Sequence, residues 1–149
     1  MRTAFLVLSF GLLATQVVPT LAKSNAKAPA IDVKALRLAA MGLSSGTVND
    51  ASKAVKFGAP VKNQAYAARA LAKWARIFPI LFPKGSDTPN TRPEIWTDRT
   101  GFEGRAATLA TAADELARLA DADDAAGFAT QIVVVRTACG ECHDSYRAK

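Results

Sequence analysis

Histidine and cysteine are nearly missing from this 149-residue chain: one histidine and two cysteines are present, and all three fall within five consecutive residues. A structural zinc site takes about four nitrogen or sulfur ligands, so the chain falls short of one without carboxylate help. Any site needing two imidazoles from a single chain is excluded as well. Aromatic residues make up only 7% of the chain, and the lysines and arginines are scattered. Nucleic-acid binding wants a basic cluster with aromatics for stacking, and the sequence offers none. The formal net charge of +6 reads as a solvated surface with some preference for acidic partners. Internal repeats and long low-complexity tracts are lacking too. Long apolar runs are confined to residues 4–14 (AFLVLSFGLLA). Eleven residues at about 1.5 Å each cross roughly half of a ~30 Å hydrocarbon core.

That short run is flanked by the basic start Met1-Arg2 and by Thr20-Leu21-Ala22, small at the −3 and −1 positions of a signal-peptidase site. Residues 1–22 read as a cleaved export signal, leaving no membrane anchor, with Ser24-Asn25-Ala26 as a second candidate cleavage point. Removing 22 residues from 149 leaves 127, an ordinary size for one domain, and lowers the charge from +6 to +5. Residues 23–30 read as a mobile leader and residues 31–149 as the folded domain.

From Ile31 onward the chain is rich in alanine, the best helix former, with breaks at glycine and proline, the poorest. Asp32 is a good N-cap for a first helix to about Lys56, with Gly42 and Gly46 predicting a bend or break. A second helix is expected over 62–78, with an apolar stripe of Ala67, Ala70, Leu71, Trp74, Ile77 and Phe78. Pro79 and Pro83 close it, and residues 84–92 (KGSDTPNTR) form a loop. Thr91 with Glu94 and Thr100 with Glu103 have capping-box spacing, predicting a short turn over 93–98 and a third helix over 102–120. Its stripe is Phe102, Ala106, Leu109, Ala113, Leu116 and Ala120. The acidic run 121–124 suits the N-terminus of a fourth helix, whose stripe is Ala125, Phe128, Ile132, Val135, Cys139 and Cys142. Ile132-Val133-Val134-Val135 alone would suggest a strand, but the regular spacing on either side favours a helix. Four amphipathic helices with short connections predict an all-α, antiparallel four-helix bundle.

An exported chain reaches an oxidising compartment, where paired cysteines usually form disulfides. Cys139 and Cys142 are too close for a bridge between them to staple anything. Cys139-Gly140-Glu141-Cys142-His143 is instead a C-x-x-C-H signature, the attachment site of c-type haem. Each thiol adds to one haem vinyl group as a thioether, and His143 is held beneath the iron as an axial ligand. Cys139 and His143, four apart on a helix, project from the face that carries the apolar stripe. A thioredoxin-like pair would stand at the start of a helix after a strand, whereas this pair ends an all-helical pattern. For the sixth position on iron, methionine is the common partner, and after signal removal only Met41 remains.

On these residues the chain resembles the class II c-type cytochromes, the cytochromes c-prime. The resemblance runs from Asp32 to the C-terminus. It is carried by residues 139–147 (CGECHDSYR), by Arg37 four before Met41, by Arg92-Pro93-Glu94-Ile95-Trp96 and by residues 81–85 (LFPKG). It implies a four-helix bundle around one covalent haem c, in a periplasmic protein that is often a homodimer. Arg37 would bind a haem propionate, a charge-assisted bond of roughly 1.5–3 kcal/mol, and Arg147 would lie on the proximal side. Met41 matches the distal position, where family members carry either a blocking side chain over a five-coordinate iron or a ligating methionine. Trp74 and Trp96 read as core packing. The expected function is electron transfer with redox partner proteins, with nitric oxide or carbon monoxide as gas ligands if the iron is five-coordinate. A peroxidase is a weaker expectation, since no second histidine accompanies the haem, and so is a thiol oxidoreductase, which would require free thiols.

Overall fold

A computed structural model of the chain describes residues 31–149. The export signal and leader expected over 1–22 and 23–30 lie outside the described residues. Five helices follow one another: α1 (Val33–Phe57), α2 (Ala65–Ile77), α3 (Glu94–Thr97), α4 (Arg99–Asp121) and α5 (Ala125–Tyr146). Short 3-10 turns at Val61–Gln64 and Phe78–Leu81 flank α2. The four long helices form the bundle, and α3 is a single turn in the connection between α2 and α4. Among the described residues there is no β-strand, only an isolated antiparallel bridge between Thr91 and Arg147. No described helix is long and apolar enough to cross a membrane.

Carboxylate caps set the starts of the three longest helices. Asp32 accepts from the N–H groups of Lys34 and Ala35 at 3.0 and 3.1 Å, satisfying donors that a helix leaves free. Asp98 accepts from Gly101 at 3.1 Å to open α4, and Asp124 from Gly127 at 2.9 Å to open α5. Both glycines are dictated by these caps, because a Cβ at either position would collide with the capping carboxylate. Gly58, with φ of 65°, ends α1 in the left-handed conformation that glycine adopts without penalty.

Several sequence expectations are corrected here. α1 runs without a break through Gly42 and Gly46, both of which lie on its exposed side. Ala67 is only half-buried, while Ala70 and Ile77 are exposed; the inner face of α2 is built on Ala65, Ala68, Leu71, Ala72 and Ala75. The alanine-rich composition hid that one-residue rotation of the stripe. α4 starts three residues earlier than expected, at Arg99, because Asp98 caps it in place of Thr100. Thr91 does not cap α3; its hydroxyl is occupied with the backbone of Thr88. Ala125 is exposed, whereas Phe128, Ile132 and Val135 are buried on α5 as expected and Cys139 and Cys142 are half-buried.

Two apolar clusters make the core. One, between α2, α4, α5 and the C-terminal half of α1, is mostly alanine with Leu71, Leu116, Phe128, Ile132 and Val135. The other gathers Phe78, Leu81, Phe82, Ile95, Phe102, Ala106 and Tyr146 near the opposite ends of α4 and α5. Burying a side chain such as Phe102 or Phe128 contributes about 1.5–3 kcal/mol each.

Candidate functional site

Three of the expected site residues, Arg37, Met41 and Cys142, gather at the aromatic cluster. Cys142 of α5 and Met41 of α1 both pack against it, as do Trp74 and Trp96. The rings interlock edge to face: Phe82 and Phe102 have centroids 5.0 Å apart, Phe102 and Tyr146 5.2 Å, Phe78 and Phe102 5.7 Å. Arg37 lies one helical turn before Met41 and is only 6% exposed. Its guanidinium stands over the Phe82 ring, 4.4 Å from the centroid, and Nη2 donates to the carbonyl of Ser86. Nη1 is buried with no hydrogen-bond partner. Burial holds the pKa of Arg37 below its ordinary value, although Asp32 and Asp87 oppose that shift. A charged donor in an apolar setting with one nitrogen unspent is costly unless an acceptor meets it.

The connection between α2 and α4 holds this arginine in place. Ser86 is buried, and its backbone N–H and hydroxyl both bond the carbonyl of Pro83, closing a tight turn through Gly85 at φ 78°. Trp96 donates its indole N–H to the carbonyls of Phe82 and Pro83 at 3.2 and 3.0 Å. Arg99 donates to those of Phe82 and Pro79 at 3.2 and 2.9 Å. Neither Ser86 nor Phe82 stood out in the sequence as a site residue, since nothing local marks a backbone carbonyl or a ring as the seat of a distant arginine.

On α5, Cys139, Cys142 and His143 are all half-buried, and both cysteines are free thiols. Burial raises the pKa of Cys139 and, with the Cys139 charge adding to it, that of Cys142 to about 11. The direction is opposite to that of the low-pKa nucleophile of a thiol oxidoreductase. Burial pushes the His143 imidazole below its usual value; Arg147 adds to that and Asp144 opposes it. Among the described residues, no group of three or more histidine, cysteine, aspartate or glutamate side chains could hold a metal ion by itself. Glu141, inside the motif, pairs with Arg105 across to α4. Gly140 is exposed with open space around it. Arg147 stands just past the end of α5 with extended backbone and an exposed side chain, its N–H donating to the carbonyl of His143 at 3.0 Å. Tyr146 is buried in the ring cluster and donates its hydroxyl to Asp98 at 2.7 Å. Its position four residues after Cys142, on the same helical face, was the available sequence signal.

The structure therefore brings Arg37, Met41 and Cys142 to one cluster, with Cys139 and His143 on the adjoining turns of α5. Arg147 stands at the edge of this group.

Comparison with known proteins identifies the family and the fold. The sequence profile described as Cytochrome C' matches residues 32–147. A cytochrome c-556 of Agrobacterium fabrum is 43% identical over 77 residues, 50% of this chain and 51% of that protein. A cytochrome c' of Alcaligenes xylosoxydans is 32% identical over 68 residues, 46% of this chain and 54% of that protein. The matches thus span about half the length of these curated relatives. Among solved structures, a nitric oxide complex of a variant cytochrome c prime from Alcaligenes xylosoxidans superposes with a TM-score of 0.72. It is 26% identical, with 79% of this chain and 95% of that one covered. Proteins of the matched family carry covalently bound haem c. With nearly all of its described length inside the family profile and the four-helix bundle shared, the chain belongs to the cytochrome c' family.

Proposed function

We propose that this chain is an exported, periplasmic haem c protein that carries electrons between redox partner proteins, and is not an enzyme. The observation that carries the proposal is the buried, unpartnered Nη1 of Arg37 beside the ring cluster that Met41 and Cys142 share. A carboxylate is the natural acceptor for that nitrogen, and a haem brings carboxylates. The donor set fits the group: two free thiols three residues apart, an adjoining imidazole, and a buried cation. Cys139 and Cys142 would hold the haem through thioethers, His143 would bind its iron, Arg37 would bind a propionate and Met41 would cover the opposite face. Arg147 would sit on the imidazole side. When bound, the haem supplies a one-electron iron couple. The chain's own part is to exclude water with Phe82, Phe102 and Tyr146 and to hold the imidazole and guanidinium in fixed places. Burial of His143 favours the neutral imidazole that a metal needs.

A second reading concerns gas ligands. The likeness to a nitric oxide complex of a cytochrome c prime supports nitric oxide or carbon monoxide as ligands here, if Met41 only blocks the distal face. The half-buried position of Met41 against the rings supports equally its use as the sixth ligand of a pure electron carrier. Two measurements test these readings. Acid–acetone extraction of the purified protein should leave the Soret band with the polypeptide, and colour passing into the organic layer would refute covalent attachment. The reduced protein is then mixed with carbon monoxide. A spectrum that shifts identifies an open iron, whereas a sharp low-spin spectrum that ignores the gas and is abolished by Met41→Ala identifies methionine ligation.

A further inference from the structure

The end of α5 is held by a second segment of chain. The backbone N–H of Arg92 donates to the carbonyl of Tyr146 at 3.1 Å, and the N–H of Ala148 donates to the carbonyl of Asn90 at 3.1 Å, on either side of the Thr91–Arg147 bridge. The Arg92 guanidinium donates to the carbonyl of Asp144 at 3.1 Å and also pairs with Glu94 at 3.0 Å. The Tyr146 hydroxyl donates to Oδ2 of Asp98, whose Oδ1 caps α4. A helix leaves its last four carbonyls without partners inside the helix, and last turns open first. Here one arginine takes two of those carbonyls, through its main chain and its side chain, and one tyrosine ties the same turn to the start of α4. His143 lies in that turn, three residues before Tyr146. The same connection delivers the Ser86 carbonyl to Arg37, so both sides of the site are referenced to it.

We infer that Arg92 and Tyr146 are positioning residues for His143: by fixing the last turn of α5 against residues 90–98, they set the direction in which the imidazole meets the iron. The inference rests on the haem reading above. Neither residue touches that ring through a hydrogen bond; both act through the backbone that carries it. The geometry separates this role from general packing, because the tyrosine ring fills the cluster while its hydroxyl alone makes the tie to Asp98.

The test uses the haem-loaded chain. Tyr146→Phe keeps the ring and removes the tie. Arg92→Ala removes the side-chain bond to Asp144, and Arg92→Lys restores a cation that can donate there. Three quantities are read: exchange of the amides of residues 143–147, the paramagnetically shifted ring-proton resonances of His143, and the midpoint potential. Tyr146→Phe should load haem, exchange these amides roughly two- to tenfold faster, as expected for one lost hydrogen bond, and move both the His143 resonances and the potential. Arg92→Ala should do the same, and Arg92→Lys should recover most of the displacement. Faster exchange or a lower melting temperature, with His143 resonances and potential unmoved, would overturn the inference and leave these residues a purely structural part. Lack of recovery in Arg92→Lys would also overturn it. A wild-type protein without covalent haem refutes the functional reading and this one together, whereas loaded variants indistinguishable from wild type refute this one alone.

Discussion

The two apolar clusters of the bundle are built from different alphabets. Where α2, α4 and α5 meet the C-terminal half of α1, the buried positions are mostly alanine, including Ala72, Ala113 and Ala120, all without exposed surface. Small side chains let helix backbones come close, so this end is sealed by backbone proximity with a few large residues such as Phe128 as filler. At the other end, five rings from Trp74 to Tyr146 interlock, Trp74 tilted against Phe78 and the others edge to face, and Met41 of α1 and Cys142 of α5 pack against them. The first region packs helix on helix through small side chains, and the second is a wall of rings. The contrast teaches that opposite ends of the same helices are held by two kinds of packing, one of small side chains and one of rings.

Three substitutions or conditions sharpen that contrast, beginning with the most severe. Phe102→Ala removes the ring that touches Phe78, Phe82 and Tyr146, and large-to-small changes of this kind cost about 3–5 kcal/mol. It should lower the denaturation midpoint strongly and broaden the haem absorption bands, because the wall itself is breached. Ala113→Leu, in the alanine-rich region, should cost about 1–3 kcal/mol by overpacking. Its spectrum should match the wild type; an altered spectrum would show that the two ends are not independent. The mildest effect is alkaline. Burial, followed by the bond to Asp98, raises the Tyr146 phenol to about 12. Because its folded pKa lies above the ordinary value of about 10, the protonated form favours the folded chain. That contribution is complete below pH 10 and disappears as pH rises to 12. Unfolding followed between pH 9 and 12 should show a loss that is smaller in Tyr146→Phe; equal losses would remove Tyr146 as its source.

Much of this molecule can be read from its sequence, and the exceptions share a cause. Helix existence followed from alanine content and apolar spacing, and the carboxylate caps at Asp32 and in the 121–124 run were visible beforehand. The stripe of α2 was misaligned because alanine occupies both its buried and exposed faces, so periodicity carried little contrast. At the start of α4 two capping residues competed, and Asp98 won over Thr100 because Gly101 leaves room for its carboxylate. Among the candidate site residues, the cysteines and the histidine were named from types and spacing, Met41 as the one methionine left after the expected signal, and Arg37 from the family resemblance. Ser86, Asp98 and the second role of Arg92 could not, since each acts through contacts 48 to 52 residues distant in the chain or, for Ser86, 49.

Protein engineers often shorten surface segments to raise heat resistance, and closing a long loop is thermodynamically inexpensive to undo. The stretch between α2 and α4 invites such trimming, being rich in proline, glycine and polar residues. Yet it grips an arginine on one neighbouring helix and the terminal carbonyls of another. Deleting even part of it would free Arg37 of α1 and the last turn of α5 at once, so the segment that looks most expendable is the one least open to trimming.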